Sequence, residues 1–119
     1  MSKEVNVSRE TAELAKAKGF DWETSMYYYK LEPLYDERVL ETWSRIPNHT
    51  SAPTQSLLQK WLRGKYKIQL TVIHRNDFKN GKESYDYLLE GTEVVYRNFT
   101  TWEQALEVGL LEALKLITI

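Results

Sequence analysis

The sequence predicts an α+β fold: an α-β-β-β-α core, in which a three-stranded antiparallel meander carries two helices on one face, plus an N-terminal helix and strand. Three observations predict it. Residues 102–117 repeat apolar side chains at the spacing of a helix face. Leu57, Leu58, Trp61 and Leu62 form a second, shorter apolar stripe. Between them lie runs of alternating polarity broken by Asn80-Gly81, the strongest hairpin signal in the chain. A length of 119 residues suits one domain, 1–119, around one core.

Residues 1–7 read as a polar lead-in. Ser8 can cap a short helix over residues 9–18, with Val7 stapled onto it, Gly19 as its stop and Phe20 as the hydrophobic contact beyond. Its apolar content is thin, so it must dock on the rest of the chain. Met26-Tyr27-Tyr28-Tyr29-Lys30-Leu31 is a strong strand former, closed by Pro33. Consecutive tyrosines in a strand point to opposite faces. One face packs and the other is half exposed, or the run forms a stacking or protein-binding surface; both readings stand at this point. Residues 32–51 are poorly patterned. Residues 38–43 read as a strand or a helical turn and 46–51 as loop, where a functional loop would sit.

The second helix is expected to open at Ser51 or Ala52, with Pro53 in its first turn and Gly64 as its end. Gln55, Gln59, Lys60 and Arg63 are placed on its outer side. Lys60, Arg63, Lys65 and Lys67 gather at its C-terminal end, where cations suit the helix dipole or form a small anion-binding patch.

Ile68, Leu70, Val72 and His74 share one face of the next strand. A loop over 76–82 leads to a returning strand over 84–90, with Tyr85, Tyr87 and Leu89 on one face. A turn at Glu90-Gly91 gives a third strand over 93–99. The terminal helix then begins at Thr100 or Thr101, each with a capping-box partner three residues on, Glu103 or Gln104. Trp102, Ala105, Leu106, Gly109, Leu110, Ala113 and Ile117 make its apolar face. Gly109 in mid-helix costs about 1 kcal/mol against alanine, which points first to close packing of the backbone on a sheet, with the approach of a ligand as the alternative.

This order of elements is that of double-stranded-RNA-binding domains. Their lysine-rich start to the last helix is replaced here by the acidic Trp102-Glu103-Gln104. Their Gly-Pro-x-His loop is replaced by Asn76-Asp77-Phe78 and Asn80-Gly81-Lys82. A resemblance of wider extent rests on Ala12-Glu13-Leu14-Ala15-Lys16, Lys18-Gly19-Phe20, the motif Ser51-Ala52-Pro53-Thr54-Gln55-Ser56-Leu57-Leu58-Gln59-Lys60-Trp61-Leu62-Arg63, and the terminal helix from Thr101 to Ile117. In these the chain resembles a family of small uncharacterised proteins encoded by gut Bacteroidales genomes and their prophages. The resemblance implies a phage or mobile-element context and supplies no activity, substrate or catalytic residue.

The chain carries 42% apolar and 28% charged residues, a globular composition. With a net charge of −1 it has no general basic field to draw nucleic acid or membranes. The absence of cysteine excludes disulfides, a thiolate nucleophile and zinc-thiolate sites. No apolar signal segment and no apolar run of about 18 residues occurs, so a soluble cytoplasmic protein is expected, with no membrane association. His49 and His74 have neither His-x-x-His nor His-Glu-x-x-His spacing, and neither a P-loop nor a Gly-x-Ser-x-Gly elbow occurs. Asp86 and Glu90 read as a solvated strand face rather than an acid-base pair. No metal, cofactor or catalytic residue is assigned, and a non-enzyme is expected.

Two functional readings follow. The first is a small protein-interaction module that binds a protein partner or a second copy of itself through Tyr27, Tyr28, Tyr29 and Tyr35. The alternative is a nucleic-acid-binding protein that uses the basic helix end, Lys60, Arg63, Lys65 and Lys67, with the tyrosines as stacking rings. The acidic residues 103, 107 and 112 on the terminal helix rank the first ahead.

Overall fold

The computed structural model describes residues 5–29, 34–77, 81–90 and 94–117, with residues 35, 37–39, 77, 82 and 94–98 described by their backbone. Its elements are α1 (Arg9–Ala17), β1 (Thr24–Tyr29), β2 (Leu34–Glu41), a 3-10 turn (Trp43–Arg45), β3 (His49–Ser51), α2 (Gln55–Tyr66), β4 (Leu70–Asp77), β5 (Lys82–Leu89), β6 (Val94–Phe99) and α3 (Trp102–Lys115). The α+β class and the α2-β4-β5-β6-α3 core are as the sequence predicts. The strands form two three-stranded antiparallel sheets, ordered β2-β1-β3 and β4-β5-β6.

α3 lies on β4 and β5 and packs against α2 and α1. Thr101 caps it by accepting from the Gln104 N–H at 3.1 Å. The Gln104 carbonyl oxygen returns to Thr100, accepting from its hydroxyl at 2.7 Å and its N–H at 3.2 Å. Both threonines are therefore used, one as the cap and one as the reciprocal partner. Ala105, Leu106, Gly109, Leu110, Ala113 and Ile117 are buried as the periodicity requires, whereas Trp102 stands 46% exposed. At Gly109 the helix backbone meets the sheet. A Cβ there would sit 2.7 Å from Leu70 Cδ1 and 3.2 Å from Tyr87 Cγ, so the glycine is a packing requirement.

α1 is capped by Ser8, whose side chain accepts from the Thr11 N–H. It ends at Ala17 with Lys18 as its cap, and Gly19 beyond holds φ +94° and turns the chain so that Phe20 enters the core. Phe20 meets the fully buried Trp61 edge-on at 5.3 Å.

α2 departs from expectation at both ends. Its cap is Thr54, whose side chain accepts from the Leu57 N–H at 3.2 Å, so Ser51, Ala52 and Pro53 precede it. Pro53 is instead an acceptor for the Val7 N–H at 2.9 Å. The helix passes through Gly64 and closes at Lys67, which takes the left-handed conformation at φ 60°, while the Ile68 N–H donates to Leu62 O. Tyr66 explains the extra turn. Its ring packs on Trp61 at 5.2 Å and its hydroxyl donates to Lys18 O at 3.2 Å, anchoring the helix beyond the glycine.

Residues 5–8 are more than a lead-in. Asn6 forms a bridge with Thr54, its side-chain amide donates to Ala52 O at 2.8 Å, and Val5 O accepts from the Gln55 N–H at 2.8 Å. Gln55, placed outward by the helical pattern, is 5% exposed. Its amide donates to Glu103 O at 2.9 Å and to Glu107 Oε1 at 3.1 Å. Glu107 Oε2 accepts from the Ser8 N–H at 3.1 Å, from the Ser8 hydroxyl at 3.0 Å and from the Thr11 hydroxyl. One carboxylate of α3 thus links the first turns of α1 and α2, accepting from the Ser8 N–H and two hydroxyls of α1 and from the Gln55 side-chain amide of α2.

Within 34–51, β2 agrees with the strand reading of 38–43 as far as Glu41, whereas His49–Ser51, expected as loop, is drawn into the sheet as β3. β2 pairs with β1 through Tyr27↔Tyr35 and Tyr28↔Leu34, with a bulge between Thr24 and Met26. β3 pairs on the other side through Tyr27↔Ser51 and Tyr29↔His49. Ser44 and Ser51 exchange N–H to hydroxyl bonds at 3.0 and 2.9 Å, tying the 3-10 turn to β3. In the second sheet Asp86 is fully buried, not solvated. It lies on the central strand, opposite Ile73, and its Oδ2 is 2.6 Å from Arg75 Nε.

Candidate protein-binding surface

The strand alternation of β1 divides the tyrosine run. Tyr27 is 6% exposed and stacks on Trp43 at a 4.3 Å centroid distance. His49 lies 5.0 Å from Tyr27 and 4.9 Å from Tyr29. Trp43 is fixed by its indole N–H, which donates to Thr24 O at 2.6 Å. These rings make a small aromatic cluster under the 3-10 turn.

Tyr28 points the other way, to α1. Its hydroxyl donates to Val7 O at 2.9 Å and the Arg9 guanidinium lies 4.9 Å above its ring. Burial raises the phenol above its ordinary pKa, the Arg9 charge works against that rise, and Glu107 adds to it. Tyr35 is opposite Tyr27 in the backbone register, and its side chain lies outside the described residues. Tyr27, Tyr28 and Tyr29 therefore do not share one outward surface. Tyr27 and Tyr28 are committed to packing on opposite faces, and Tyr29 is half-buried against His49.

A more exposed group of rings lies on the second sheet. Leu70 and Val72 of β4 are under α3, and the same face runs on to His74, which is exposed. The His74 ring stacks on Tyr85 at 5.0 Å, and Tyr85 meets the Trp102 indole edge-on at 6.4 Å. Trp102 opens α3, so the helix gives out where the sheet face continues. The result is a three-ring platform beside the core. Glu83 Oε1 lies 3.7 Å from His74 Nε2 at its margin. The sequence pattern placed Trp102 in the core because it obeys the helical spacing. The missing signal was where the sheet beneath the helix is covered, which spacing does not encode.

Lys60, Arg63, Lys65 and Lys67 are all exposed, but they do not point one way. Lys60 and Arg63, one turn apart, line a shallow hollow of about 390 Å³ with Thr54, Ser56, Leu57 and Gln59. Lys65 Nζ lies 5.7 Å above the rings of both Trp61 and Tyr66. Lys67 is the left-handed cap.

Among the described residues, no group of three or more His, Asp or Glu is placed to hold a metal ion, and no helix is long and apolar enough to cross a membrane. No family model, curated protein or solved structure matches the chain.

Proposed function

We propose that this chain is a small non-enzymatic protein-interaction module, and that its principal contact surface is the His74–Tyr85–Trp102 platform rather than the tyrosine run of β1. The observation that carries the reading is the 46% exposure of Trp102, edge-on to Tyr85, which in turn stacks on His74. Tryptophan and tyrosine supply large contact area at low entropic cost and dominate binding energy where they are held rigid. Tyr85 is held by the sheet and Trp102 by the cap of α3, so little ordering remains to be done on binding. The Glu83 carboxylate beside the platform repels phosphate, which favours a protein over a nucleic acid at this surface.

The partner is a second copy or another protein, with the phage or mobile-element setting that the resemblance of the helical segments implies. The test compares the wild type with Trp102→Ala in two measurements: light scattering over a concentration series, and capture from a bacterial lysate on immobilised protein. Association or captured partners that the variant loses, with unchanged circular dichroism, are the expected outcome. Identical behaviour of the two proteins in both measurements overturns the assignment. Oligonucleotide binding that weakens steeply with salt and is lost in Lys60→Glu/Arg63→Glu would favour the nucleic-acid reading instead.

A further inference from the structure

A second surface, separate from the platform, has a shape and charge that define its ligand. Met26 of β1, the exposed Leu40 of β2, Ala52 and Pro53 ahead of α2, and Leu57 of α2 give a partly enclosed hollow of about 200 Å³ its apolar wall, with Asn6, Thr24 and Ser25 among its polar lining residues. Leu40 is 64% exposed, the most exposed of the large apolar side chains among the described residues. Its position follows from the bulge in the β1–β2 ladder, which falls between Thr24 and Met26. The volume exceeds that of the roughly 150 Å³ apolar cavity that accepts benzene, so one aliphatic or aromatic side chain fits.

The hollow is not isolated. Thr54 and Leu57 are in its wall and also in the wall of the hollow that holds Lys60 and Arg63. An apolar slot therefore adjoins a cationic shelf along the outer side of α2. Among the described residues no carboxylate lies within ion-pair distance of Lys60 or Arg63. Glu23 is in the apolar hollow's wall, and neither cation is, so the surface is polar in the electrical sense: acidic on one side, basic on the other.

We propose that this composite groove docks a short peptide segment of a partner protein, with an apolar side chain in the slot over Leu40 and Met26 and carboxylates following it onto Lys60 and Arg63. A phosphate backbone makes no use of the apolar slot and is repelled by Glu23. A purely apolar ligand leaves the cations without partners. A peptide with both features in this order satisfies each part. Lys60 and Arg63 thereby act together with Leu40, a residue remote in sequence, and not with Lys65 and Lys67.

The probe is a short synthetic peptide of two leucines followed by four glutamates. Its controls are a hexaglutamate, the same composition in reversed order, and a single-stranded oligonucleotide. Each is titrated into the full chain while the methyl resonances of Met26, Leu40 and Leu57 are followed by NMR. Saturable shifts of these methyls with the leading-leucine peptide are expected. Binding should weaken about tenfold in Lys60→Glu/Arg63→Glu, as loss of two exposed ion pairs implies. It should be lost in Leu40→Glu, and be unchanged in Trp102→Ala, which separates this surface from the platform. Leu40, Lys60 and Arg63 are exposed, so these variants keep the fold, and the undisturbed core methyls report that directly. Absence of shifts at millimolar peptide overturns the proposal. So does equal binding of hexaglutamate, which would reduce the site to a simple charge patch, or of the reversed peptide, which would remove the proposed order of slot and shelf. Preferential binding of the oligonucleotide overturns it in favour of nucleic acid.

Discussion

Substituting alanine for glycine should stabilise this protein in one helix and not in another. Gly64 lies inside α2 with nothing within 4 Å of the position a Cβ would take. Alanine there gains the difference in helix propensity, about 1 kcal/mol. Gly109 has the same propensity to gain but faces the sheet. Its added Cβ would lie 2.7 and 3.1 Å from the two Leu70 methyls and 3.2 Å from Tyr87 Cγ. Leu70 is 4% exposed and Tyr87 1%, so neither side chain has free space to retreat into. Overpacking of this kind costs about 1–3 kcal/mol. Gly109→Ala is therefore expected to be neutral to about 2 kcal/mol destabilising, leaving the two variants about 1–3 kcal/mol apart. Urea unfolding followed by tryptophan fluorescence reads this directly, because the midpoint should rise for Gly64→Ala and hold or fall for Gly109→Ala at constant m-value. A double-mutant cycle sharpens the test. Leu70→Ala removes the obstructing methyls, so the penalty of Gly109→Ala should shrink by at least about 0.5 kcal/mol in that background. If Gly109→Ala stabilises as much as Gly64→Ala, α3 does not approach the sheet as described and the packing argument fails.

Further expectations concern the polar joints. Glu107→Ala leaves the first turns of α1 and α2 without their shared acceptor and should cost about 2–3 kcal/mol in urea unfolding, whereas Glu112→Ala, whose exposed partner is Lys115, should cost less than about 0.5 kcal/mol. Tyr28→Phe removes one hydrogen bond, about 1 kcal/mol at neutral pH. Because the folded state raises the Tyr28 pKa above 10.0, that stabilisation is complete below the unfolded value and is lost as pH rises through the folded one. The variant should therefore lose less stability than the wild type between neutral pH and the far side of that range, measured by thermal unfolding across a pH series. Lys67→Gly should raise stability by about 1 kcal/mol, since a non-glycine residue holds the left-handed cap of α2 at φ 60°; a fall in the melting temperature would contradict that reading.

The parts of the fold readable in the sequence are those written in local chemistry. Ser8, Thr101 and Gln104 announce helix starts by side chains that reach their own backbone. Gly109 within an otherwise apolar face announces a close approach. Asn80-Gly81 between alternating runs announces a hairpin. What stayed hidden depends on distant partners. β3 has three residues, too few to show a period, and exists because β1 offers it an edge. Gln55 falls on the outward side of α2 by spacing but is buried because residues 5–7 and Glu107 close over it. Gly64 has the composition of a helix end, and Tyr66 overrides it through a contact with Lys18, 48 positions away. The candidate surfaces were divided in the same way. That Tyr27 and Tyr28 face opposite sides follows from the strand period. That both sides are covered, and that Trp102 is not, follows from tertiary packing alone.

The strap over residues 5–8 has a consequence for how the molecule is assembled. Its bonds are to Tyr28, Ala52, Pro53, Thr54, Gln55 and Glu107, all of which leave the ribosome later, the last of them 99 positions after Ser8. Until α3 has been made, α1 has β3 to pack on but lacks the Glu107 carboxylate that holds its first turn. Until then it is a short helix of marginal stability, only partly docked. Contacts of such sequence separation slow folding and let local pieces form first. The meander of β4, β5 and β6 can pair while the strap is still free, so the segment translated early is among the last to take its place, closing the fold in the manner of a clasp.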